Sequence, residues 1–374
     1  MCQQADLHHL WKFESDCANR LSVSCLAWNQ RNVDSLATGY GNTGFGSTGK
    51  GFLCIWSLKN PKTAVQMMYT HSGVSTIDFS SLRPNLLAVG LNDGSVSIHN
   101  IRRQKEHPSA NRILLGKHRC PVWQVRWICC RAHKVEHVVS VSTEGQFIKW
   151  NSHGNLMQID VLKLKKNLFN AVWVSREKRP IYPKENGFVK IRAICFDFSP
   201  KDASTYILGT ESGLLHRCSC SIGEHFLNSY LGHDAPVYQV QWSPHLNQIF
   251  ISASADWTVK LWHEKIFSPT IVFRTGDKHI TGVCWAPNNS TVFACASLNG
   301  SIQVWDITKS TLEPIRSKKS YGNIACLAFA RDSSNVAAGH EDGTVSTFHI
   351  SGLEFVGSKS SNRLRDAISN ATLV

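Results

Sequence analysis

Apolar and polar residues alternate with a period of two along most of the chain, as in VYQVQW (Val237–Trp242), TVKLW (Thr258–Trp262) and SIQVW (Ser301–Trp305). Side chains of an extended strand point alternately to its two faces, so each segment predicts a strand with one face to bury. Helical spacing is scarce. The segments also repeat. A turn residue stands five positions before the end of a strand in GFLCIW (Gly51–Trp56), GSVSIH (Gly94–His99), GQFIKW (Gly145–Trp150) and GLLHRC (Gly213–Cys218). The same spacing returns in GSIQVW (Gly300–Trp305), GTVSTF (Gly343–Phe348) and, with Trp257 in place of glycine, in ISASADWTVKLWHEK (Ile251–Lys265).

A second marker precedes these turns: a short apolar strand closing on an aromatic at Trp28, Phe79, Trp127, Phe198, Trp242, Trp285 and Phe329. The last three steps between markers are 44, 43 and 44 residues, the period of a four-stranded propeller blade. Earlier steps of 51, 48 and 71 residues locate insertions: GYGNTGFGSTGKG in the first repeat, RRQKEHPSANRILLGKH after the second, and a long one after Trp150. The pattern predicts an all-β chain with one seven-bladed β-propeller over residues 20–350, carrying a basic insertion at about 151–190. Within residues 1–19, LHHLWKFE (Leu7–Glu14) alternates like a strand and is expected to pair with the last blade, closing the ring. The polar, basic tail, residues 351–374, is expected to be flexible or to dock a partner.

These repeats resemble the WD-repeat family, and VWDI (Val304–Ile307) carries the Trp-Asp pair that names it. The resemblance implies a buried network of His, Ser or Thr, Asp and Trp within a blade. Two blades carry such residues at matching offsets: His233, Ser252, Asp256 and Trp262 in the fifth, His118, Ser140, Glu144 and Trp150 in the third. A Ser, His and Asp together would otherwise suggest a hydrolase. At these offsets they are expected to hold blades together, each polar group satisfied by the next. No catalytic, cofactor-binding or metal-binding residue is assigned.

Composition changes the picture in three ways. The net charge of +13 sits largely in two insertions, Ile101–Arg119 and Lys163–Lys190, which read as solvated loops or as contacts for an acidic partner such as tubulin tails. Nucleic acid is disfavoured, because no aromatic and basic recognition module accompanies the charge. No apolar run is long enough to span a bilayer, and MCQQADLHHLWKFESD lacks the regions of a signal peptide, which points to the cytosolic compartment. The 13 cysteines are scattered along strands without zinc spacing, including the pairs Cys129–Cys130 and Cys218/Cys220. The glycine-rich GYGNTGFGSTGKG lacks the GKS/T sequence and following helix of a phosphate loop.

Less generic stretches resemble the intermediate chains of dynein motors: LATGYG with GFLCIWSLKNP, SADWTVKLW, and VCWAPNNSTVFACASLNGSIQVWDI, with further similarity through most of residues 20–350. The pattern is closer to axonemal than to cytoplasmic chains, and GTESGLLHRCSCS and GHDAPVYQVQWSP resemble an inner-arm type. The resemblance implies a non-catalytic assembly subunit of the axoneme of cilia and flagella. Its propeller would grip the dynein heavy-chain tail beside other intermediate chains. A region preceding the propeller binds light chains in that family; only about twenty residues precede the first blade here, so light-chain binding is not carried over and the chain reads as a fragment, a short isoform or a divergent form. A second reading is a generic WD-repeat scaffold, such as a ubiquitin-ligase substrate receptor or a trafficking adaptor. A propeller enzyme ranks third.

Trp257 belongs to the family pattern at this blade. A bulky residue fits a tight turn in a right-handed or bridge conformation, or else under strain. At a hairpin tip it is either a partner contact, since Trp is enriched in interface hot spots, or packing over a neighbouring loop.

Overall fold

The computed structural model describes residues 6–15, 21–41, 49–102, 112–130, 135–151, 158–163, 192–220, 222–276, 278–320, 322–331, 334–352 and 360–372. Strand β1 (Asp6–Phe13) comes first. The first blade is β2 (Ser22–Trp28), β3 (Ser35–Gly41), β4 (Gly51–Ser57) and β5 (Gln66–Thr70). The second is β6 (Val74–Phe79), β7 (Leu86–Leu91), β8 (Ser95–Asn100) and β9 (Arg112–Lys117). The third is β10 (Val122–Cys130), β11 (Val135–Ser142), β12 (Gln146–Asn151) and β13 (Gln158–Lys163). The fourth is β14 (Ala193–Phe198), β15 (Thr205–Thr210), β16 (Leu215–Ser219) and β17 (Ile222–Tyr230). The fifth is β18 (Val237–Trp242), β19 (Ile249–Ser254), β20 (Thr258–His263) and β21 (Ile271–Arg274). The sixth is β22 (Ile280–Trp285), β23 (Val292–Ser297), β24 (Ser301–Asp306) and β25 (Arg316–Lys319). The last joins β26 (Ile324–Phe329), β27 (Asn335–His340) and β28 (Val345–Ser351) to β1.

Each sheet is antiparallel, and its innermost strand packs on the innermost strand of the next blade until β26 meets β2. The result is a seven-bladed β-propeller. Strand β1 aligns Leu7 with Ile350 and Phe13 with Val345. Its two buried side chains face different seams: Leu7 joins the core between the sixth and seventh blades, and Phe13 packs 5.2 Å from Trp56 between the seventh and the first. One N-terminal strand therefore ties the last blade to both neighbours.

Every innermost strand carries a β-bulge near its start, at Val23/Cys25, Val74/Thr76, Val122/Gln124, Ala193/Cys195, Val237/Gln239, Ile280/Gly282 and Ile324/Cys326. An extra residue bends a strand and strengthens its twist, which turns seven flat ladders toward a common axis. Past the bulge, Cys25, Cys195 and Cys326 each lie opposite a glycine, Gly39, Gly209 and Gly339. A Cβ on those glycines would meet the sulfur at 2.5, 2.5 and 2.7 Å, so the cysteines fill a space that only glycine leaves open.

Three sequence expectations need correction. Part of the stretch read as an insertion after the second blade is strand β9, and β13 lies within the one after Trp150. Both are outer strands at the rim of their blades, and in β9 the neighbours Ile113 and Leu114 are both about half exposed, so burial imposes no alternation there. Gly51 is no turn residue; it opens β4 paired with Thr70. The tail was read as flexible or as a docking segment, yet residues Ser360–Thr372 form helix α1, with Leu364 and Ala367 buried in the core of the fifth and sixth blades.

Candidate interaction site

The fifth blade contains a continuous polar chain. The Trp262 indole donates to Ser252 Oγ at 2.8 Å, Ser252 Oγ is 2.7 Å from His233 Nε2, and His233 Nδ1 is 2.7 Å from Asp256 Oδ2. With the serine oxygen already accepting from the indole, its own proton goes to Nε2, which leaves Nδ1–H to donate to the carboxylate. Lys260, also buried, places Nζ 3.2 Å from the same oxygen and donates to the Gly232 carbonyl. Burial works to raise the Asp256 pKa, but hydrogen bonds from His233 and Thr258 and the charge of Lys260 hold it well below the usual carboxylate range. Burial lowers the pKa of His233 despite that neighbour, so the imidazole is neutral near pH 7. Ser252 is fully buried, so its hydroxyl meets no substrate; its hydrogen-bonding capacity is taken up by the blade.

The third blade repeats half of this. Trp150 Nε1 donates to Ser140 Oγ at 2.7 Å, and that oxygen is 2.6 Å from His118 Nε2. Glu144 does not complete the set: its carboxylate accepts from the Cys120 thiol at 3.1 Å, and His118 Nδ1 is buried without a hydrogen bond. The extra methylene of Glu carries the carboxylate past the ring. Burial pushes the His118 pKa down to about 4, with the Gln146 amide and Glu144 opposing. The Asp of the Trp-Asp pair has a different task, since Asp306 Oδ1 takes the backbone N–H of Thr308 at 3.0 Å and its hydroxyl at 2.6 Å, fixing the turn after β24.

Successive blades are stapled by side chains that repeat spacing alone did not single out. Asp78 accepts from Trp127 N at 2.8 Å, Gln124 from Phe196 N at 2.7 Å, Asp197 from Trp242 N at 2.8 Å and Gln241 from Trp285 N at 2.8 Å. All four stand one or three residues before a marker aromatic, a polar residue on the face toward the next blade. Burial raises the pKa of Asp78 to about 6 and that of Asp197 as well, while Arg126 opposes both shifts. At the equivalent positions the sixth, seventh and first blades carry Gly282, Cys284, Cys326, Ala328, Cys25 and Ala27; there the blades are linked instead through carbonyls, Thr281 Oγ1 donating to Ile324 O at 2.9 Å, Trp28 Nε1 to Ala328 O at 3.1 Å and Ser24 Oγ to Val74 O at 2.6 Å.

Three of the bulge residues carry hydroxyls. Ser75 donates to the Gly90 carbonyl of the opposite strand, whereas Ser24 and Thr281 lie closer to carbonyls of the next blade, Val74 at 2.6 Å and Ile324 at 2.9 Å. The third and fifth blades place aromatics there instead, Trp123 and Tyr238, which are 36% and 40% exposed. Val237 lies opposite Ser254, so the start of β18 and the turn after β19 share one end of the fifth blade. Trp257 occupies that turn and is 55% exposed. The same end of the propeller thus displays Trp123, Tyr238 and Trp257.

Trp257 has φ 67°, in the left-handed region, as the only non-glycine residue with positive φ among the described residues. Of the alternatives, a right-handed or bridge conformation or a strained one, the structure takes the strained one. Its counterparts Gly94, Gly145, Gly213, Gly300 and Gly343 have φ between 73° and 90°. At Gly94 and Gly300 a Cβ would come within 2.4 and 2.5 Å of a facing carbonyl, and the turn carbonyl accepts a backbone N–H at 2.8 and 2.7 Å. At Trp257 the same bond, from Thr275, stretches to 3.4 Å, which is the displacement a Cβ demands. The basic stretch 164–190 lies outside the described residues.

The family description "Dynein axonemal intermediate chain 3 WD40 domain" matches residues 218–350. The chain is 36% identical over 356 residues to mouse (Mus musculus) "Dynein axonemal intermediate chain 4", covering 92% of this chain and 44% of that protein. It is 36% identical over 369 residues to the protein of the same name from Danio rerio, covering 97% and 46%. It is 34% identical over 276 residues to "Dynein axonemal intermediate chain 1" of Bos taurus, covering 72% and 38%. The chain spans less than half the length of each of these relatives.

Proposed function

Because the chain carries the WD40 propeller of the axonemal dynein intermediate chain family, we propose that it is a non-catalytic assembly subunit of an axonemal dynein that binds the heavy-chain tail. The observation that carries this reading is the aromatic display at one end of the ring. Trp257 keeps a left-handed backbone where five other blades use glycine, and its side chain stays exposed. A costly conformation retained for an exposed tryptophan has no return within the propeller, whereas an aromatic anchor at an interface repays it. Tyr238 and Trp123 extend the same surface.

Location in the cilium or flagellum axoneme follows from this role, as does association with other intermediate chains. The resemblance of the fourth and fifth blades to inner-arm chains supports an inner-arm reading. The basic stretch Lys163–Lys190 provides charge for an acidic surface such as tubulin. Light-chain binding is not carried over to these residues.

The test is an affinity pull-down of the tagged chain from ciliated-cell extract, read by mass spectrometry. Axonemal dynein heavy chains recovered with the chain support the proposal. Ligase or coat components without heavy chains would replace it with the generic scaffold.

A further inference from the structure

The strands of each blade are antiparallel, so the turn between its second and third strands, where Trp257 stands, lies at one end of the ring. The two other loops within the blade lie at the opposite end. The ends differ in charge. At the Trp257 end cations meet carboxylates: Lys12 pairs with Glu14, Lys117 with Asp93 at 3.4 Å and Arg192 with Glu211 at 3.2 Å. Among the described residues, the loops at the opposite end hold nine arginines and lysines, four after innermost strands and five after third strands, against four carboxylates, Asp34, Asp202, Glu264 and Glu313. Lys59 reaches Asp34 at 3.4 Å, but Lys62, Lys201, Lys265 and Lys309 form no ion pair with a described carboxylate.

On the fifth and sixth blades this uncompensated charge stands beside exposed apolar residues. The loop after β20 presents Lys265, Ile266 and Phe267, and the loop after β24 presents Lys309 and Leu312, the last 85% exposed. Ile271, which ends the first loop, and Ile307, which begins the second, belong to one buried cluster, so both loops rise from one seam. Apolar side chains left in water among cations are the make-up of an interface whose partner brings apolar area and negative charge.

The loops also say which anionic partner fits. A membrane headgroup layer or a nucleic-acid backbone is negative throughout, and exposed Glu313, next to Leu312, would face like charge against either. A polypeptide can set carboxylates opposite Lys265 and Lys309 and place neutral residues opposite Glu313.

We propose that the loops after β20 and β24 form a docking surface for an acidic segment of a partner polypeptide, whose carboxylates meet Lys265 and Lys309 and whose aliphatic side chains cover Ile266, Phe267 and Leu312. The surface lies at the end of the ring opposite Trp257 and uses none of the residues 163–190. It is independent of the heavy-chain reading, and either stands if the other fails.

The test follows the fluorescence anisotropy of a labelled copolymer of glutamate and leucine titrated with the full chain. Lys265→Glu with Lys309→Glu, and separately Ile266→Ser with Leu312→Ser, are each expected to weaken binding at least about tenfold. Lys50→Glu with Lys278→Glu makes the same change in net charge at the Trp257 end and is expected to leave the affinity within about twofold, because salt screens distant charges. Equal loss in that control would mean attraction by net charge alone, and undiminished binding by the serine variant a contact without apolar recognition; each overturns the proposal. Tighter binding of an oligothymidylate or of phosphatidylserine vesicles than of the copolymer overturns it in favour of nucleic acid or membrane, as does the absence of saturable copolymer binding in favour of a solvated surface. The substituted side chains are exposed, and melts coinciding with that of the wild type establish intact propellers. A loop variant that unfolds would assign its residues to the fold and count against the interface.

Discussion

The Trp257 carbonyl accepts the Thr275 hydroxyl at 3.0 Å, beside a backbone bond from the same residue that has lengthened to 3.4 Å. One side chain thus compensates for a hydrogen bond that the Cβ of the other has loosened. Left-handed backbone costs an L-residue on the order of 1–2 kcal/mol relative to glycine. Trp257→Gly is therefore expected to raise the urea midpoint by an amount worth about 1 kcal/mol while lowering recovery of the heavy chain. An unchanged or lower midpoint would show that the indole packs for stability, and unchanged recovery would remove it from the interface.

The two blade networks differ by one carboxylate, and mutation separates them. Asp256→Ala leaves His233 and buried Lys260 without their shared partner, at a cost of about 3–5 kcal/mol. Glu144→Ala removes only a thiol bond outside the His118 chain and is expected to cost under about 1 kcal/mol. Equal losses in denaturant melts would mean that Glu144 reaches His118 after all.

Stability falls with acid in a window set by the buried imidazoles. His118 has its pKa lowered from 6.5 to about 4, so the unfolded chain takes up a proton that the folded chain refuses. The stabilisation is fully present above pH 6.5 and is lost as pH falls toward 4, by about 3 kcal/mol for this residue. His233 and His340, also lowered by burial, act in the same direction. His118→Gln is expected to flatten the decline measured by urea melts between pH 7 and pH 4.5; an unaltered slope contradicts the assignment.

Asp78 has the opposite sign. Its folded pKa is raised from 3.8 to about 6, chiefly by burial, so the folded state holds the proton more tightly than the unfolded state. Its contribution is fully present below pH 3.8 and is lost as pH rises through 6, by about 3 kcal/mol. Asp78→Asn retains an oxygen for Trp127 N–H without a buried charge, and is expected to stabilise the chain at pH 8 relative to its effect at pH 4. Greater loss at pH 8 would mean that the charge pairing with Arg126 outweighs desolvation.

Deleting residues 1–14 removes the strand that pairs with β28 and the buried Leu7 and Phe13. The bare edge of the last blade is expected to drive self-association, visible as higher-mass species in light scattering. A monomeric, cooperatively melting truncation would show that the ring closes without β1.

The repeat of strand, glycine turn and strand-terminal residue was legible in the sequence, because a two-residue period and a tight turn are local demands on local residues. That is why the blade number follows from spacing, whereas the Trp262–Ser252–His233 chain was expected from the WD-repeat resemblance. Contacts between blades join distant residues, Gln124 and Phe196 72 positions apart around the ring and Trp28 and Ala328 300 apart where it closes, and no local pattern encodes them. The outer strands β9 and β13 were hidden because they lie at the blade rim, where burial marks side chains less: Ile113 and Leu114, adjacent in β9, are both about half exposed. The left-handed backbone of Trp257 could not be read from its residue type, since φ there is dictated by a hairpin into which the whole blade locks it. Helix α1 carries a stripe of one leucine, one isoleucine and two alanines, too weak to announce a helix; only the open seam beside β21, formed when the chain closes, gives that stripe something to cover.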